Sequence, residues 1–66
     1  MPITNRVREL RKKRGLSFEQ LAVAAKLSGK TVLNVERGKE PLLSTCRSIA
    51  EALGVRVEVA FPPETK

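Results

Sequence analysis

The chain has 66 residues, 41% of them hydrophobic and 30% charged, with a formal net charge of +6 and a pI near 10.3. That length allows one small domain, whose core leaves little net stability unless its helices pack well or a partner subunit adds surface. With no His and a single Cys, Cys46, the composition excludes an internal disulfide, a His/Cys metal cluster and a His-activated nucleophile, so neither metal nor cofactor is expected.

The excess of basic residues suits a polyanion, nucleic acid before membrane. There is no Trp or Tyr and there are only two Phe, so the core must be aliphatic. No apolar run is long enough for a membrane span or a signal peptide, and the expected location is the cytoplasm.

Asn5 to Arg14 places Val7, Leu10 and Arg14 on one side, with Ile3 leading in, which is helical period. Gly15 supplies a stop, and basic residues crowd the last turn, where the helix dipole favours them. Ser17 to Ala25 opens on a capping box, Ser17 with Gln20 three residues on, and carries Leu21, Ala24 and Ala25 as a face of small residues. Lys26-Leu27 has room only for a turn. Ser28 then caps a third helix with Val32 and Val35 inward, ended by Gly38. In Ser44 to Leu53, residues Cys46, Ile49, Ala50 and Leu53 recur at i, i+3, i+4 and i+7, and Cys46 reads as a small core hydrophobe.

After Gly54 the period changes. Val55, Val57, Val59 and Phe61 alternate with Arg56, Glu58 and Ala60, which predicts a strand over 55–61. No second strand exists in the chain, so the expected partner is another copy, the two strands forming an antiparallel ribbon about a two-fold axis; the alternative is an extended arm packed on the chain's own helices. Residues 62–66 are expected to be a loose tail.

Two short helices joined by a tight turn inside a basic four-helix domain suggest a helix-turn-helix. Arg11, the Gly15-Leu16-Ser17 junction, Leu21-Ala22, Ser28, Thr31-Val32, Val35-Glu36-Arg37-Gly38 and Ile49-Ala50-x-Ala52-Leu53-Gly54 together resemble the Cro/C1-type, or Xre-like, helix-turn-helix regulators over residues 5–55. The resemblance implies a mainly α, lambda-repressor-like DNA-binding domain over 1–54, with its third helix in the major groove and its second across the backbone. It also implies that Arg11 and Glu36 form a partly buried ion pair, a structural role.

With Val32 and Val35 inward, Gly29, Lys30, Leu33 and Asn34 project outward as the candidate base readers. Lys donates to guanine O6/N7, and Asn pairs with adenine N6/N7. Gly29 stands where relatives often carry a long polar reader. Either it lets the helix terminus approach the DNA, or base reading moves inward to Lys30, Leu33 and Asn34, and the second is the simpler. The candidate backbone contacts are Ser17, Phe18, Ser28, Thr31, Arg6, Arg37 and Lys39, with Phe18 replacing a Gln common in the family. Lys26 replaces the usual turn Gly, which puts mild strain there if φ is positive.

The expectation is therefore a homodimeric, sequence-specific double-stranded DNA-binding regulator, a repressor on a palindromic operator, with Val55, Val57, Val59 and Phe61 as its dimer interface. The alternative is an antitoxin that also binds a toxin protein, because such antitoxins share this helical core and a C-terminal strand. The absence of His, paired carboxylates and a phosphate loop argues against an enzyme.

Overall fold

Asn5 starts the structure by joining two distant segments. Its side-chain Oδ1 accepts the N–H of Val7 at 3.1 Å, and its Nδ2 donates to the carbonyl of Val35 at 2.9 Å. The computed structural model describes residues 5–62, and among them the chain forms five helices: α1 (Val7–Lys13), α2 (Phe18–Ala25), α3 (Gly29–Glu36), α4 (Leu43–Leu53) and α5 (Val57–Ala60). Ile3 and residues 63–66 of the expected tail lie outside the described residues.

The helices close around an aliphatic core. Val7, Leu21, Val32, Ile49 and Leu53 are its largest fully buried side chains. α2 buries Leu21, Ala22 and Ala25, so Ala22 occupies the inward place that the sequence reading gave to Ala24, which is exposed. Small side chains there let α3 and α4 both pack on α2. Cys46 is half-buried, and that burial raises its thiol pKa above the ordinary value.

The α2–α3 turn closes through Lys26 N–H to Val23 O at 3.1 Å and Leu27 N–H to Ala22 O at 2.8 Å. Lys26 sits at φ 60, in the left-handed region, the single non-glycine residue to do so among the described residues. The expected strain at this turn is present: a lysine holds a conformation that costs an L-residue about 1–2 kcal/mol.

The strand expected over Val55–Phe61 is not formed, and the ribbon model built on it falls with it. Gly54, at φ 73, turns the chain back across the end of α4. The following residues then satisfy their backbone locally: Val59 N–H bonds Arg56 O at 2.9 Å and Phe61 N–H bonds Val57 O at 2.7 Å. Val57, Ala60 and Phe61 fit i, i+3, i+4 as well as alternation fits the valines, so the segment carries both periods. What decides is the surface available. Ala60, expected on the polar face, is fully buried, and Val55, Val57 and Phe61 pack half-buried on the core of their own chain. The carbonyl of Ala60 also accepts the N–H of Arg6 at 2.8 Å, tying α5 to the start of α1. Of the four expected interface residues, Val59 alone stays exposed.

Candidate nucleic-acid interface

Each helix of the α2–α3 pair starts on a serine. Ser17 Oγ accepts the Gln20 N–H at 3.0 Å, and Gln20 Oε1 accepts the Ser17 N–H at 2.8 Å, the reciprocal pair expected from their spacing. Ser28 Oγ accepts the Thr31 N–H at 3.1 Å and lies 2.9 Å from Thr31 Oγ1. Each cap satisfies one first-turn amide of its helix and fixes where the helix begins. Ser17 and Ser28 stay exposed, at the surface their helix ends present.

Val32 and Val35 bury the inner face of α3. Lys30 is left exposed, and Leu33 and Asn34 are half-buried. Lys30 and Asn34 stand one turn apart on one row of the helix, and Leu33 and Arg37 on the next. A groove opens on each side of α3. Thr31, Asn34, Lys39, Pro41 and Leu42 are among the residues lining one. Arg8, Arg11, Phe18, Leu33, Glu36 and Arg37 line the other, about 360 Å³ in volume. The structure thus brings Asn34, Thr31 and Lys39 together, and brings Phe18, Leu33 and Arg37 together.

Arg6 differs from the other candidate phosphate ligands. Its guanidinium donates to Glu9 at 3.1 and 3.2 Å. That bond holds the Glu9 carboxyl below its usual range and raises the arginine's pKa. Arg8 enters instead. Sequence reading missed it, although its place beside Val7 and one turn from Arg11 puts it on the solvent side of α1.

Arg11 and Glu36 form the expected pair. Arg11 Nε donates to Glu36 Oε2 at 2.7 Å and its second terminal nitrogen to Oε1 at 3.1 Å, while the first donates to the carbonyl of Leu16 at 2.9 Å. Glu36 is 5% exposed. Both carboxylate oxygens are engaged, which is what a buried charge requires.

Gly29 has a neighbour that sequence reading did not find. A Cβ on Gly29 would stand 3.2 Å from Phe18 Cε1 and 3.5 Å from Cδ1. The Phe18 ring occupies the space that a side chain at Gly29 would take. The two departures from the family pattern are one packing unit. Their spacing in sequence, across a turn, gave no periodic signal.

A helix-turn-helix family model, HTH_3, matches residues 7–59. The chain is 38% identical over 66 residues to the immunity repressor protein of Bacillus phage phi105, covering 98% of this chain and 46% of that one. It is 40% identical over 58 residues to the HTH-type transcriptional regulator DdrOP3 of Deinococcus deserti, covering 86% and 45%. The chain therefore spans about half the length of these curated relatives. Among solved structures, the restriction-modification controller protein C.AhdI of Aeromonas hydrophila superposes with a TM-score of 0.77 at 39% identity, covering 80% of this chain and 82% of that one. SinR, a master regulator for biofilm formation crystallised in complex with DNA, gives 0.75 at 25% identity, covering 80% and 87%. The capped α2–turn–α3 pair, the Arg11–Glu36 bridge and these matches together place the chain in the HTH_3 helix-turn-helix family, the Cro/C1 or Xre type of DNA-binding regulator.

Proposed function

We propose that the chain is the DNA-binding unit of a transcriptional repressor that reads a palindromic operator as a homodimer. The observation that carries this reading is the outer face of α3. Lys30 is exposed and Asn34 stands beside it, both without a hydrogen bond from their side chains among the described residues. Thr31, Lys39, Arg8 and Arg37 flank that face as donors for phosphate. The relatives named as a repressor, a transcriptional regulator and a regulator in complex with DNA support it.

Asn34→Ala is expected to cost about 1–3 kcal/mol on the preferred site and to relax preference at one base pair. Arg37→Ala should weaken binding to all sequences alike and reduce the salt slope by about one. Selection of bound sites from random duplex DNA, repeated for each variant, reads both. An unchanged preference in Asn34→Ala would remove α3 from base reading.

The homodimer keeps a place in this reading with a different contact surface. Leu42 is 74% exposed, and Pro41 beside it also lines a groove with Phe61. These residues form the apolar surface we assign to the second copy, at the edge of the interface where two recognition helices must be held about 34 Å apart. The antitoxin alternative drew on this helical core together with a C-terminal strand, and that segment is α5, so the core alone remains as its ground.

A further inference from the structure

We infer that Phe18 and Leu33 form an apolar notch for the 5-methyl group of a pyrimidine in the DNA major groove; this deepens the base reading proposed above and rests on it. The groove between α1, α2 and α3 has two half-buried apolar walls, Phe18 and Leu33, set in an otherwise charged surface. Arg8 and Arg37 stand at its rim, both exposed, and match the phosphates that border a groove. Its other lining groups are Arg11 and Glu36, which are spent on each other and on Leu16 O. Among the described residues no buried side-chain nitrogen or oxygen lacks a partner. The polar groups in the deep part of the groove are therefore already paired with one another or with the backbone. What the groove offers is hydrocarbon.

On the major-groove edges of the bases the apolar group is the C5-methyl, carried by thymine and by 5-methylcytosine. Gly29 makes the notch what it is. A Cβ there would stand 3.2 Å from the Phe18 ring, so the ring lies against the bare backbone of Gly29 and would have to give by a few tenths of an ångström to any side chain. Losing the polar reader at position 29 and gaining a ring at position 18 exchanges a hydrogen-bonding contact for an apolar one at the same end of α3.

The test starts from the duplex selected by the full chain. Each thymine is replaced singly by deoxyuridine, which removes the methyl alone, and each cytosine by 5-methylcytosine, which adds it. Affinity is read by titration at fixed salt. One position per half-site is expected to lose about fourfold on uracil, the worth of one buried methyl, or to gain about that much on 5-methylcytosine if cytosine stands there. The first result assigns the notch to thymine and the second to methylated cytosine. The sensitivity should vanish in Leu33→Ala and in Phe18→Gln. Melting curves show which variants keep the fold, and one folded variant suffices. Indifference to the methyl at every position overturns the inference and leaves Phe18 and Leu33 packing on deoxyribose, with the base reading intact. A methyl effect that survives unchanged in the folded variants overturns it too. Failure to select any site overturns the base reading and this inference together.

Discussion

At the scale of single residues, the Arg11–Glu36 bridge is the most consequential contact. Glu36 lies on α3 between Val32 and Val35, which face the core, and the outer row of Lys30 and Asn34. An unpaired carboxylate there has no water to turn to. Glu36→Ala strands the guanidinium of Arg11, at a cost of about 3–5 kcal/mol. A domain of this size holds only of order 3–10 kcal/mol in total, at roughly 0.05–0.15 per residue. Thermal unfolding by circular dichroism should show Glu36→Ala largely unfolded at 25–37 °C or melting far below the parent chain. The joint replacement Arg11→Met with Glu36→Leu should recover much of the loss, because it removes both charges. A single variant with unchanged melting would deny the bridge its structural role. Asn5 works on the same scale: one amide group serves the first turn of α1 and the last of α3.

At the scale of elements, α4 breaks the pattern set by α2 and α3. Its N-cap is Leu42, which offers no side-chain hydrogen bond to the helix. Leu42 is 74% exposed and Leu43 62%. A serine or aspartate would satisfy the end of the helix better. An apolar residue placed in water at a position that favours a polar one points to a surface that is covered in use. Leu42→Asp separates the two effects. The capped helix should gain about 0.5–2 kcal/mol, so each folded chain should melt higher at high dilution. Sedimentation at micromolar concentration should show the dimer lost. A dimer that persists in Leu42→Asp would place the contact elsewhere on the molecule.

At the scale of the whole molecule, α5 changes the meaning of a C-terminal truncation. Were the segment a strand in a ribbon, cutting after Gly54 would release a folded monomer. As part of the core it supplies Ala60, fully buried, and half-buried Val55, Val57 and Phe61. It also supplies the acceptor for the Arg6 N–H. Truncation after Gly54 should therefore cost roughly 2 kcal/mol or more, from the half-buried apolar area of Val57 and Phe61 alone. The expected product is a chain without a cooperative melting transition, whereas Val59→Glu, at an exposed site, should leave folding intact. A truncated chain that melts like its parent would show that α5 contributes nothing to the core.

The sequence by itself determined the four helices up to Leu53, the serine caps of α2 and α3 and, through the family resemblance, the ion pair, whereas the start of α4 after Leu42 rather than at Ser44 was not legible. Ser17 with Gln20, Ser28 with Thr31 and the inward valines of α3 need only local geometry to be recognised. Tertiary structure decided the rest. Val55–Phe61 carries a two-residue and a helical period at once, and the apolar surface of the chain's own α4 and core selects the helix. Lys26 takes φ 60 because the α2–α3 turn closes through it, not because lysine favours that conformation. The nesting of Phe18 over Gly29 joins residues on two helices with no shared period. Local hydrogen bonding is written in the chain; the choice between two self-consistent periods belongs to whichever surface can be buried.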